Sequence, residues 1–270
     1  MRFASWNLGY CGKEGARRRV EFLHNSDWDV VALQEVSRHA WVVFTESSLA
    51  ESSACTLEMF EPPPPRKRQH GVALLSRNGF PLSPPKLLAG FPKAERALIA
   101  RTKVGDTPVA VISWHAPNAA GEGVTIKMQG YRGIVGWLGT LSGPIVLGFD
   151  GNHWNRSVDL EPEHVSASDD PWLLENLFFG SNRVHRLRDA FLDHLRVRPA
   201  EHEEIKKRRP HGPLAVSYVR GSKAKPTEDR FDYVFITDEL SVTECSYDYQ
   251  GAKAAGSDHG IVTADLHIRP

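Results

Sequence analysis

Five short polar motifs, each beside an apolar, strand-like run, constrain this chain more than any other feature: Asn7, Gln34-Glu35, His115-Ala-Pro-Asn118, Asp150-Gly-Asn152 and Ser257-Asp258-His259. Singly each is ordinary, because polar residues at strand ends commonly cap the next helix or turn. Jointly they describe one polar site built at the ends of several strands. If residues from position 7 to position 259 build it, the first and last strands must lie side by side. Residues 1–270 are therefore expected to form a single domain.

The chain is long enough for a sizeable core, and its 41% hydrophobic and 24% charged residues exclude wholesale disorder. Lysine plus arginine equals aspartate plus glutamate at 33 each, so no global basic field advertises a polyanion partner. Cys11, Cys55 and Cys245 lack the spacing of a zinc or redox site and read as reduced thiols. The first residues carry no apolar signal segment and no run is long enough to span a bilayer, so a cytoplasmic location is expected.

Strands are expected at 2–6, 28–34, 71–76, 97–103, 107–114, 144–149, 231–237, 241–247 and 260–267. Between the first two, Ala16, Val20 and Leu23 recur at helical spacing, which leaves Arg17, Arg18 and Arg19 as a solvated face. A helix is expected over 124–141 despite Gly130, Gly133, Gly136 and Gly139, which would each cost about 1 kcal/mol relative to alanine. Such a series points to close packing. The prolines at 62–65 make a stiff basic loop, and 156–229 reads as polar and irregular, with the longest loops.

Hydrolysis of a phosphate ester needs a Lewis acid on the phosphoryl oxygens, a positioned water, and donors for the charge that develops. The motifs hold a candidate for each. Glu35 ends an apolar strand, where a hard cation such as magnesium could bind it; alternatively it is a cap or a surface charge. Asp150 and Asn152 share a face if strand geometry persists beyond Leu147, so that one could orient or deprotonate water while the other donates a hydrogen bond. His115 ends its strand beside Asn118. Asp258 and His259 point to opposite faces if extended, so His259 needs another acid, for which Asp232 is the candidate; Asp232 could instead pair with Arg230.

These residues resemble the endonuclease/exonuclease/phosphatase superfamily, through Ser-Trp-Asn7, Leu-Gln-Glu35, Gly71-Val-Ala-Leu-Leu-Ser-Arg77, His115-Ala-Pro-Asn118, Leu-Gly-Phe-Asp150-Gly-Asn152, Phe-Asp232-Tyr and Ser-Asp258-His259. The resemblance implies an α/β fold, a four-layered α/β sandwich with two packed mixed β-sheets flanked by helices and the site at one end of both. It also implies roles. Asn7, Glu35 and Asp258 would lie at a divalent metal, Mg2+ or Mn2+. Asp150 and Asn152 would handle the water and the phosphoryl oxygens. His259, held by Asp232, and His115 would serve the transition state, and Arg96 and Asn118 would contact phosphate.

Three departures accompany it: Phe149 where glycine is usual, Gly9 where several nucleases carry an acidic or polar group, and no identifiable acid to orient His115. Basic clusters at Arg66, Arg68, Lys206, Lys207, Arg208 and Arg209 could follow a polyanion backbone or could be solvated loops balanced by acids. The expected activity is a metal-dependent nucleic-acid phosphodiesterase, with DNA as the foremost substrate and with neither membrane nor obligate protein partner. A small phosphorylated metabolite or lipid head group is the alternative substrate, and an inactive binding module the alternative class.

Overall fold

A computed structural model describes residues 1–60, 69–88, 90–153, 178–179, 183–222 and 225–269. The first sheet contains β1 (Arg2–Asn7), β2 (Val30–Ser37), β3 (Ser52–Cys55), β4 (His70–Ser76), β13 (Leu240–Asp248) and β14 (Ile261–Ile268), in the order β13-β14-β1-β2-β4-β3. The second contains β5 (Lys86–Leu87), β6 (Ala97–Val104), β7 (Thr107–His115), β8 (Ile145–Asp150), β9 (Arg188–Asp189) and β12 (Asp232–Ile236), in the order β5-β6-β7-β8-β12-β9. In each sheet one central pair is parallel, β1 with β2 and β7 with β8, while the other pairs are antiparallel. A hairpin of β10 (Tyr218–Ser222) and β11 (Lys225–Asp229) stands apart.

Alternation along the strands divides the apolar residues among three cores. Phe3, Val30, Ala32, Val72 and Leu74 meet Val109, Val111 and Val146 between the sheets. Their neighbours Ala4, Trp6, Val31, Leu33, Ala73 and Leu75 turn the other way, onto helices α1 (Lys13–His24) and α2 (Arg38–Glu46). On the far side, Ala110, Ile112 and Leu147 pack on Tyr131 and Ile134 of α4 (Val124–Leu138), which follows the one-turn helix α3 (Ala119–Glu122). Each such side chain contributes about 1.5–3 kcal/mol of burial, set against the entropy of ordering it. The result is the four-layered sandwich, helix, sheet, sheet, helix.

The glycines of α4 are about packing. A Cβ at Gly130 would lie 2.8 Å from the Pro117 ring, and one at Gly133 3.0 Å from Phe91.

Two expectations fail. Arg19 is 3% exposed, not solvated. Nor is 190–208 irregular: it forms α5 (Ala190–Arg196) and α6 (Pro199–Arg208), so Lys206, Lys207 and Arg208 sit in a helical last turn, with Arg209 as its cap. Asp189 caps α5 by accepting from the amides of Phe191 and Leu192, and Pro199 opens α6, two local signals that the polar composition masked. A last helix, α7 (Tyr249–Ala254), precedes the Ser257-Asp258-His259 turn. No helix among the described residues is long and apolar enough to cross a membrane.

Candidate active site

The two sheets bring their motif-bearing ends together. Asn7 closes β1, and its side-chain amide donates to Asp150 Oδ2 at the end of β8 (2.8 Å). The other Asp150 oxygen accepts from the Asn152 backbone amide (2.7 Å). Asp150 is 1% exposed, and burial first of all raises its pKa to about 6, against the pull of His259.

Asn152 does not continue the strand. Its φ of +45° turns the chain, and its side-chain amide reaches back to the Ala116 carbonyl (2.8 Å) and His115 Nε2 (3.0 Å). The same-face expectation for Asp150 and Asn152 thus fails, because the turn replaces strand geometry after Asp150. Three further bonds hold that turn: Tyr131 Oη donates to the Gly151 carbonyl (2.7 Å), Lys127 Nζ to the Asn152 carbonyl (2.9 Å), and Gly151 N to Phe231 O (2.8 Å). Phe149 stacks in the aromatic core with Trp114 and Tyr233, and its ring edge would lie 3.4 Å from a Cβ on Gly151.

Asp232 stands opposite Asp150 on β12 and is fully buried. Its Oδ2 lies 2.7 Å from His259 Nδ1, while Arg230 is taken by both oxygens of Asp189 at 2.7 Å. Burial alone would lower the His259 imidazole, but Asp232 and Asp150 outweigh it and raise its pKa to about 10. His259 Nε2 faces Asp150 Oδ2 at 4.0 Å. Ser257 joins both motifs, its hydroxyl donating to the Asn7 carbonyl (2.7 Å) and accepting from the His259 amide (3.0 Å). The Tyr218 ring lies 4.7 Å from the His259 ring, a neighbour no local sequence signal discloses.

Burial, with the cations Arg96, His70 and His259, pushes His115 well below its ordinary range, so it is a neutral imidazole. Two carboxylates face His115 Nε2 without reaching hydrogen-bond distance, Asp150 Oδ2 at 3.6 Å and Glu35 Oε1 at 3.7 Å. Glu35 sits at a bulge in β2, where the register with β4 shifts between Leu33 and Val36, and its φ is +54°. A non-glycine residue in this region costs about 1–3 kcal/mol and persists only where the surrounding structure holds it, here the bulge. Its carboxylate makes no hydrogen bond among the described residues; the nearest groups are His115 and, at 3.8 Å, His70.

Asp258 is exposed beside the Gly9 turn. A Cβ on Gly9, whose φ is +60°, would lie 2.7 Å from Asp258 Oδ1, so the residue that seemed a departure leaves the room this carboxylate occupies. Arg19 fastens both turns: its guanidinium donates to the carbonyls of Leu8 (2.6 Å), Gly15 (2.9 Å) and Gly256 (2.6 Å).

The remaining candidates lie further out. Arg96 pairs with Glu122 at 2.8 Å, and Glu122 also accepts from the Asn118 amide (3.2 Å). The Asn118 side chain caps α3 by accepting from Ala120 N (2.9 Å). On α6, Lys206 pairs with Glu203 (3.4 Å) and Arg208 with Glu204 (3.8 Å), while Arg209 reaches Glu228 (3.2 Å). Arg66 and Arg68 lie outside the described residues.

The sequence profile of the Endonuclease/Exonuclease/phosphatase family matches residues 4–259. The chain belongs to this family. It is accordingly a hydrolase of phosphate esters in a family that depends on divalent metals. No curated protein matches it. Among solved structures, the catalytic domain of Xenopus laevis APE2 superposes with a TM-score of 0.71 at 18% identity, covering 100% of this chain and 93% of that one. A humanized D. rerio TDP2 gives 0.66 at 13% identity, covering 99% and 98%. The family protein from Bacteroides vulgatus gives 0.65 at 15%, again covering 99% and 98%. At such identities these likenesses speak for the fold.

The donors suit a family metal. Among the described residues Glu35 accepts no hydrogen bond, and the Asp258 carboxylate is exposed, a hard-oxygen set of the type magnesium and manganese take. The ligand atoms of Asp150, Asp232 and His259 also lie within 4.8 Å of one another, but there the imidazole nitrogen next to Asp232 is occupied by their hydrogen bond.

Proposed function

We propose that this hydrolase cleaves the phosphodiester backbone of nucleic acid, DNA in the first place, by in-line attack of a water on phosphorus. The observation that carries this reading is the buried Asp150 carboxylate, bonded on both oxygens and facing a His259 that Asp232 keeps protonated. Asp150 takes the proton of the attacking water as its oxygen bonds to phosphorus. The bond to the leaving oxygen breaks, and His259 donates to the phosphoryl group or to that oxygen. Asn152, whose two amide protons go to the Ala116 carbonyl and to neutral His115, would be the amide donor to the phosphoryl oxygens by turning one of those protons from its present acceptor to the substrate. Glu35 and Asp258, beside Asn7, would hold Mg2+ or Mn2+, which would supply charge neutralisation on those oxygens. Arg96 and Asn118 would contact flanking phosphates, and the cations of α6 a more distant stretch of backbone.

The nucleic-acid part of the reading is supported by a protein of like fold, D. rerio TDP2, whose structure was determined in complex with a single-strand DNA product. The test is a panel of single-stranded DNA, duplex DNA, RNA, and inositol and nucleoside phosphates, with Mg2+ or Mn2+ and with chelator. Chelator-sensitive polynucleotide cleavage is expected. Phosphate release from small monoesters alone would move the activity to the phosphatase branch.

A further inference from the structure

A cleft of about 600 Å³ opens directly off the site, between the β10–β11 hairpin and α7. Ser257 and Asp258 form its inner end, Val219 and Pro226 its hairpin wall, and Tyr249 and Lys253 its helix wall. Past Val219, Tyr249 and Lys253, which line both, a second cavity of about 550 Å³ leads to Arg208 and Arg209. The track therefore runs from the residues that anchor Asn7 and His259 out to the basic end of α6.

Its chemistry matches one nucleotide unit. Lys253 is exposed and, among the described residues, makes no ion pair; its ammonium lies 5.4 Å from the centroid of the half-buried Tyr249 ring. A cation and an aromatic ring side by side take a phosphate and a base, respectively, without regard to base identity. Of the acids along the track, Asp248 caps α7 by accepting from Gly251 N (2.7 Å), Glu228 pairs with Arg209, Glu201 lies 3.4 Å from His194 and 3.9 Å from Arg198, and Asp258, at the inner end, is the carboxylate that the metal would take. A volume of several hundred cubic ångströms is the size of a small-ligand pocket and far below what a duplex requires. A base on Tyr249, with the hairpin wall opposite, cannot also face a complementary strand.

We propose that this cleft binds the unpaired nucleotide adjoining the scissile phosphate, with its base on Tyr249 and its phosphate on Lys253, and so directs the enzyme to single-stranded nucleic acid. This inference rests on the phosphodiesterase reading above. The test compares kcat/KM, with Mg2+, on a single-stranded oligonucleotide, on the same sequence as a blunt duplex, and on bis(p-nitrophenyl) phosphate, which has no adjoining nucleotide. Lys253→Gln and Tyr249→Ala are expected to lower the ratio of single-strand to small-ester activity about tenfold each, and Tyr249→Phe to preserve it. An unchanged ratio in Lys253→Gln and Tyr249→Ala would overturn the proposal, as would a parent enzyme that cuts the blunt duplex as fast as the single strand, although either result leaves a nuclease. A parent that hydrolyses the small ester and no polynucleotide would instead overturn the nucleic-acid reading, and this proposal with it.

Discussion

On the second sheet's side of the site, Asp150 and Asp232 are at most 1% exposed and each is hydrogen-bonded to a neighbouring motif, whereas on the first sheet's side Glu35 keeps 24% of its side chain exposed and makes no hydrogen bond among the described residues. The two sides ask different things of a carboxylate. A proton acceptor gains from fixed bonds and a low dielectric, which tune its pKa, while a ligand for a hard cation must keep its oxygens free of other donors. The backbone follows the same division. Asp150 and Asp232 sit in regular antiparallel register, but Glu35 is re-aimed by a bulge at positive φ.

The largest effect is expected of Asp150→Asn, which keeps the shape of the buried wall and removes its base. Hydrolysis should fall by about 10³–10⁴, some 4–5.5 kcal/mol, with substrate binding retained in a pull-down or fluorescence titration. An undiminished rate would remove Asp150 from the mechanism. Next in size is Arg19→Met, directed at the open edge. It leaves the carbonyls of Leu8, Gly15 and Gly256 without their donor and should cost about 3 kcal/mol in a denaturant titration. A loss within 0.5 kcal/mol, the size of an ordinary surface change, would show that the two turns hold without it.

Asp232→Asn separates orientation from charge. The imidazole keeps a partner but loses the anion that raises its pKa, so the rate should drop by about 10²; an equal rate would assign the rise to Asp150 alone. The smallest expected effect lies in the core, where His185 is neutral, with Nε2 bonded to the Phe178 carbonyl (2.8 Å) and burial lowering its pKa to about 4. A histidine lowered from 6.5 in the unfolded chain stabilises fully above pH 6.5, and that contribution declines as pH falls towards 4. Between pH 6.5 and 5 the loss should be about 2 kcal/mol. Melting curves of the parent and of His185→Gln across this range should diverge; parallel curves would contradict the assignment.

Much of the buried wall was legible in the sequence, because its residues end apolar strands and alternation fixes where strand-end side chains emerge. Asp232 as the partner of His259 followed from the need for an acid that Asp258, its neighbour in sequence, could not supply. The open edge was less legible. The bulge at Glu35 comes from the register between β2 and β4, and the Asn152 turn is tied by Lys127 and Tyr131 from a different helix. Arg19 reads as solvated because its acceptors are backbone carbonyls that leave no mark on composition. The same blindness placed Lys206–Arg209 in a loop: their helix is opened by Pro199 and packs on α5, which Asp189 caps.

The division between a wall for proton transfer and an edge for the metal is tested most directly by titrating Mn2+ into the parent, Glu35→Gln and Asp150→Asn and following the free-ion signal by electron paramagnetic resonance. Glu35→Gln is expected to bind the ion at least about tenfold more weakly and Asp150→Asn to bind it like the parent, although neither turns over normally. Parent-like binding by Glu35→Gln, together with its loss in Asp150→Asn, would contradict that division and place the ion among Asp150, Asp232 and His259.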